Sequence, residues 1–177
     1  MKEVKVWHRS NMSKINKIFK KIIGTYFLST DINRKFEKRV IQASNLYHRG
    51  GIHIIIALCI HNRNRKRFPC EIYPQVRIEG KISVPHCVGI VIGKTAVIGD
   101  GTKIMPNVVI GARFSPHRCH DVGRRHAIIG KNCMIGANAV IIGDIIIGDN
   151  VVVGAGAIIT RDIPSNAIVT GHNIIQT

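Results

Sequence analysis

Apolar residues recur every six positions through the second part of the chain. They fall at Ile72, Ile78 and Val84 and, after a two-residue slip, at Ile92, Ile98, Ile104 and Ile110. Beyond the stretch 111–128 they resume at Ile129, Ile135, Ile141, Ile147, Val153 and Ile159. A second small or branched residue stands four positions after most of them: Val76, Ile82, Ala96, Thr102, Val108, Cys133, Ala139, Val151 and Ala157. No α-helix fits a six-residue period. Short strands separated by tight corners do fit it, with the branched side chains stacked inward, coil over coil, as a parallel β-helix. Gly follows many of the repeat residues (Gly93, Gly99, Gly111, Gly130, Gly136, Gly148, Gly154). These glycines are expected at the corners, supplying backbone conformations that a Cβ penalises.

The first part of the chain has a different period. Ile15, Ile18, Phe19, Ile22, Ile23, Tyr26 and Phe27 recur at helical spacing with Lys14, Lys17, Lys20 and Lys21 between them, and Ser13 is placed to cap. Asp31–Tyr47 and Gly51–Ile60 read as two further helices, and His61–Phe68, rich in Arg and Lys, as a solvated connector. The chain therefore divides into a basic helical segment, 1–68, and a β-helical domain with a C-terminal tail, 69–177. The fold class is all-β with a small N-terminal α-helical part.

Composition narrows the class. The 177 residues are 45% hydrophobic and 20% charged, a globular balance. The longest apolar stretch, Ile52–Ile60, is interrupted by His53 and is about half of the roughly 20 residues a membrane-spanning helix needs. The basic start of the chain lacks a continuous apolar core and a small-residue cleavage site, so a secretory leader is not expected and a cytoplasmic location is. Five cysteines, Cys59, Cys70, Cys87, Cys119 and Cys133, form no CxxC pair and are expected as buried thiols.

The net charge of +16 changes meaning once it is mapped along the chain. Residues 1–70 hold 16 Lys and Arg against 3 Asp and Glu, whereas residues 71–177 hold 10 against 7. The charge thus belongs to the helical segment. No aromatic RNA-binding motif, zinc-finger spacing or helix-turn-helix pattern accompanies it, so nucleic acid is not the expected partner. The basic amphipathic helix either packs on the rest of the protein or on a partner subunit, or touches an anionic membrane surface peripherally.

Two interruptions of the hexads are where chemistry would be housed: the slip around Pro85, His86 and Cys87, and the stretch 111–128 with His117, His120 and His126. His117, Cys119, His120 and Asp121 lie too close along the chain to specify convergent ligands, and no metal is expected. The hexads resemble those of the hexapeptide-repeat acyltransferases, and the resemblance implies a left-handed coil with three hexads per turn. The strings CEIYP (70–74), PHCVGIVIG (85–93), RRHAIIG (124–130), MIGANA (134–139) and VGAGAIITRDIP (153–164) resemble the serine acetyltransferase family in particular.

That resemblance implies an O-acetyltransferase using acetyl-CoA as cosubstrate, assembled as a homotrimer, alone or paired as a dimer of trimers. His86 matches the family's catalytic histidine, Glu71 the carboxylate that pairs with it, and His126 a second active-site histidine reaching a site shared between subunits. The chemistry suits these residues: a hydroxyl must lose its proton while attacking a thioester, and a neutral imidazole can take it. Backbone N–H groups near Gly111 and Ala112 are candidates for the oxyanion. Gly136, Ala137, Gly154 and Ala155 are candidates for the pantetheine arm, and Arg161 for the coenzyme's phosphates.

Three features depart from the family pattern: a truncated helical region, Pro85 where an Asp precedes the histidine, and a longer, basic loop with Arg113, Arg118, Arg124 and Arg125. An ammonium group needs a carboxylate to meet it, and Pro85 offers none. The expected acceptor is therefore a hydroxyl of a surface polysaccharide, built at the inner membrane face. The alternatives are L-serine, in cysteine biosynthesis, and a non-enzymatic scaffold with a basic partner-binding helix.

Overall fold

The computed structural model describes residues 32–113, 123 and 125–176. The amphipathic helix expected around residues 13–27, and His117, Cys119, His120, Asp121, Arg118 and Arg124, lie outside them. The first described element is a helix over 32–49, α1, followed by α2, Ile52–Arg67. The stretch 61–67, expected as a solvated connector, is the second half of α2. Its inward stripe is Ala57, His61 and Asn64, which is polar in that half, so an apolar period could not reveal it. His61 stacks on Tyr73 at 5.4 Å between ring centroids.

The rest of the described chain is a left-handed parallel β-helix of short strands in three sheets. Sheet A is β1 (Glu71–Ile72), β4 (Val91–Ile92), β7 (Val109–Gly111), β10 (Val140–Ile142) and β13 (Ile158–Ile159). Sheet B is β2 (Arg77–Ile78), β5 (Val97–Ile98), β8 (Ile128–Ile129) and β11 (Ile146–Ile147). Sheet C is β3 (Ile82–Ser83), β6 (Thr102–Ile104), β9 (Met134–Ile135), β12 (Val152–Val153), β14 (Ile168–Thr170) and β15 (Ile174–Gln176), the last antiparallel to β14. Each turn of the chain visits A, B and C in order, so register stacks equivalent residues. Ile72, Ile92, Ile110, Ile141 and Ile159 form one inward ladder, and all are buried. Every apolar repeat position of the hexads is buried, as is every second-set residue.

The glycines after the repeat residues have a different reason from the one expected. Gly99, Gly130, Gly136 and Gly148 have ordinary backbone angles. A Cβ on Gly136 would lie 2.5 Å from the backbone nitrogen of Ala155 in the next coil, so these glycines make room for neighbouring backbone. The positive-φ positions of the coil are shared between other glycines, such as Gly101 and Gly156, and asparagines, such as Asn107, Asn132, Asn138 and Asn150, whose short polar side chain tolerates the left-handed region. Cys70, Cys87 and Cys133 are buried as expected, and burial pushes the Cys70 thiol up to about 11. Cys59 is exposed on α2, contrary to expectation.

Helix α1 closes the N-terminal end of the coil. Phe36 and Val40 enter the core, and the Phe36 ring meets that of Phe68 at 5.0 Å. Ser44 donates to Val76 O at 2.7 Å and accepts from Ile78 N at 3.3 Å. These groups sit at the end of sheet B, where no further strand can pair them.

Candidate active site

The three sheets meet at three edges, and the candidate residues other than Glu71 fall on two of them. His86 lies in the corner between β3 and β4, where the chain passes from sheet C to sheet A. Gly136 and Ala137 follow β9, and Gly154 and Ala155 follow β12, on the same edge. With strands about 4.8 Å apart, these small residues stand about 10 and about 14 Å along the edge from the His86 corner. The His86 side chain is exposed. The edge therefore presents an imidazole at one end, Met105 and Pro106 in the next coil, and beyond them positions with little or no side chain.

Gly111, Ala112, His126 and Arg161 occupy the other edge, from sheet A to sheet B. Here His126 is tightly built in. Its Nδ1 is 2.7 Å from the Thr95 hydroxyl, which also accepts the backbone N–H of Arg125 at 2.9 Å and of His126 at 3.2 Å. A hydroxyl that accepts twice keeps one proton to give. Thr95 therefore donates to Nδ1, and the network places the proton of the neutral ring on Nε2. Burial, then the neighbouring Arg125 cation, hold His126 below the usual histidine range. In its neutral form the imidazole therefore carries its proton on Nε2. The ring packs where a side chain on Gly93 would be, since a Cβ there would lie 1.9 Å from Nε2. Sequence reasoning missed both Gly93 and Thr95, which look like ordinary corner residues.

Glu71 stands on the outer face of sheet A, at the head of the ladder Val91, Val109, Val140 and Ile158. Its carboxylate is 3.5 Å from Arg65 of α2. A hydrogen bond to the same carboxylate, then burial, push the Tyr73 hydroxyl up. Within the chain Glu71 thus engages Arg65 and Tyr73, with no bond to His86. Arg161 donates to the Asn173 carbonyl at 2.6 Å, and Arg113 to the Thr160 carbonyl at 2.9 Å. Both guanidinium groups are exposed and have further donors available. No helix among the described residues is long and apolar enough to cross a membrane.

Comparison with known proteins agrees with this architecture. Residues 126–161 match the family described as bacterial transferase hexapeptide (six repeats). The chloroplastic serine acetyltransferase 1 of Arabidopsis thaliana is 41% identical over 118 residues, 67% of this chain and 36% of that protein. The soybean serine acetyltransferase complexed with serine superposes with a TM-score of 0.67 at 34% identity, over 78% of this chain and 54% of that one. The β-helix belongs to the serine acetyltransferase family of hexapeptide-repeat proteins. A further member, the Brucella abortus serine acetyltransferase in complex with coenzyme A, superposes with a TM-score of 0.66 at 29% identity, over 76% of this chain and 51% of that one. The chain spans about a third of the length of the Arabidopsis relative and about half of the two solved family members.

Proposed function

We propose that the protein is an acetyl-CoA-dependent O-acetyltransferase whose acceptor is L-serine. The observation that carries the activity is the edge between sheets C and A, which exposed His86 shares with Gly136, Ala137, Gly154 and Ala155. Small side chains there let an extended pantetheine arm lie against the backbone, with its thioester at the histidine. The imidazole of His86 takes the acceptor hydroxyl's proton as that oxygen attacks the acetyl carbonyl. The thioester C–S bond then breaks, and the coenzyme thiolate leaves with the proton returned by the imidazolium. The Nε2–H of His126 is a donor for the oxyanion or the acceptor, and the N–H groups near Gly111 and Ala112 lie on its edge. Glu71 is the carboxylate proposed to support the imidazolium, which requires it to exchange Arg65 for His86 in the reacting complex.

His86 and His126 stand on different edges of one chain, so a cleft holding both needs a second copy. A homotrimer supplies it. The outward ladder Val91, Val109, Val140 and Ile158 offers an apolar face between the two edges for such packing. Mass measurement by light scattering tests the stoichiometry.

L-serine is favoured because the relatives compared above are named serine acetyltransferases and one was solved with serine. The saccharide reading expected from the sequence keeps one observation on its side: residue 85 is proline and brings no carboxylate to the histidine. Steady-state kinetics with L-serine and a panel of sugars decides between them. A kcat/KM near 10⁴ M⁻¹s⁻¹ or above, an ordinary enzyme value, is expected for L-serine. Turnover confined to sugars would overturn the serine reading, and no acetyl transfer to any acceptor would favour a scaffold.

A further inference from the structure

We infer that Asn33 and Glu37 of α1 are positioning residues for His86, so that the helix closing the coil also sets the aim of the imidazole. The inference rests on His86 being the base in the proposed reaction.

The Asn33 side-chain amide grips both sides of residue 86. Its Nδ2 donates to the Pro85 carbonyl, and its Oδ1 accepts from the Cys87 backbone N–H at 3.4 Å and from the Cys87 thiol at 3.1 Å. The Pro85 carbonyl belongs to the peptide plane entering His86, and the Cys87 N–H to the plane leaving it. One side chain that binds both planes restrains φ and ψ of the residue between them, and with them the direction of its Cα–Cβ bond. The plane leaving His86 is held again by its own carbonyl, which accepts from Val88 N–H at 3.0 Å. One helical turn after Asn33, Glu37 Oε1 accepts from Val84 N–H at 2.6 Å and fixes the chain just before the proline.

Asn33 and Glu37 are four residues apart and so share a face of α1. That face cannot drift, because Phe36 and Val40 of the same helix are anchored in the core. The whole reach from α1 to the loop spans more than fifty positions of sequence in the Asn33 bonds. A side chain as exposed as His86 has little packing of its own to orient it, so its placement falls to the backbone. A misplacement of about 1 Å at a reacting group can lower a rate by about 10²-fold.

The test is steady-state kinetics of the full chain with acetyl-CoA and L-serine, or whichever acceptor proves active. Asn33→Ala is expected to lower kcat by about tenfold or more, with both KM values within about twofold and the melting temperature little changed. Asn33→Asp, which is isosteric and keeps only the acceptor, should lose kcat similarly. Glu37→Ala should lose less, and Glu37→Gln should recover it, because an amide oxygen still accepts from Val84 N–H. In a His86→Ala background, adding Asn33→Ala should cost nothing further, since the residue it positions is gone. Asn33→Ala and Asn33→Asp with kcat within twofold of wild type would overturn the inference, as would full additivity in the double variant. A raised KM for L-serine alone in Glu37→Gln would mark Glu37 as a substrate contact and overturn its part. Near-normal turnover of His86→Ala by itself would instead remove the proposed reaction on which the inference rests.

Discussion

His126 fills the space in front of Gly93: the imidazole Nε2 lies 1.9 Å from where a Cβ on that glycine would stand. Two residues far apart in sequence are thereby made complementary, one by lacking a side chain. Gly93→Ala is expected to push the ring aside without unfolding the coil, because the obstructing atoms are the far end of a side chain. Activity should fall by about tenfold or more, with circular dichroism and melting temperature near those of the parent. Unchanged activity would show that the seat of this ring does not matter to catalysis.

Thr95 sets which nitrogen of His126 carries the proton. Thr95→Val keeps the shape and removes the hydroxyl, so Nδ1 loses its donor and the N–H groups of Arg125 and His126 lose their acceptor. A fall in kcat of about tenfold to a hundredfold is expected, the scale of a lost oxyanion donor or more modest. Thr95→Ser should retain most activity. Nitrogen-15 spectra of the His126 ring should show the Nε2–H tautomer in the parent and a mixture in the valine variant.

Gly136 offers a contrast to Gly93. Its Cβ would meet backbone, the Ala155 nitrogen at 2.5 Å, and backbone cannot swing away. Gly136→Ala is expected to destabilise the fold by about 1–3 kcal/mol, the scale of overpacking. Thermal unfolding should show a melting temperature lower by several degrees. An unchanged melting temperature would mean that the coils separate more easily than their hydrogen-bond register implies.

His61 and His126 are both held below the usual value of 6.5, His61 by burial and then Arg65, His126 by burial and then Arg125. Each ring binds its proton more readily unfolded than folded, so the unfolded chain carries more protons below that value. Stability is then expected to be fully present above about pH 6.5 and to fall as the pH drops towards the depressed folded values. Denaturant midpoints across pH 4.5–7.5 measure it. In His126→Gln the fall over this range should be shallower.

His86→Ala should lower turnover by a factor on the order of 10² or more, the scale of a lost general base. Glu71→Gln should lower it less, because within the chain that carboxylate also serves Arg65 and Tyr73. Turnover near that of the parent in folded His86→Ala would contradict the assignment.

The β-helix was legible in the sequence because every coil repeats the same local demand. A branched residue at each sixth position has to face inward, and the structure buries all of them, from Ile72 to Ile159. The order of chain segments around the coil followed from the same period, as did the two interruptions that house His86 and His126. Other features do not follow from a local pattern. The stretch 61–67 reads as a solvated run, yet it is helical because His61 and Asn64, both polar, form its buried stripe against Tyr73 and the coil. The repeat glycines announce corners, yet Gly99, Gly130, Gly136 and Gly148 admit the backbone of the next coil and Gly93 admits the His126 ring, approaches that no single hexad contains.

The site separates in the same way. Residue type and spacing pointed only to the two interruptions of the hexads, and it was the resemblance of the strings PHCVGIVIG and RRHAIIG to the serine acetyltransferase family that singled out His86 and His126 within them. Only the tertiary structure decided that they stand on different edges, that Thr95 and Gly93 set the tautomer and the seat of His126, and that Asn33 grips both peptide planes of His86. These relations join residues about thirty to fifty positions apart through the stacking of coils and the lie of α1. A period along the chain dictates what faces inward, whereas what meets across coils depends on how many residues each interruption inserts and where the helix is anchored.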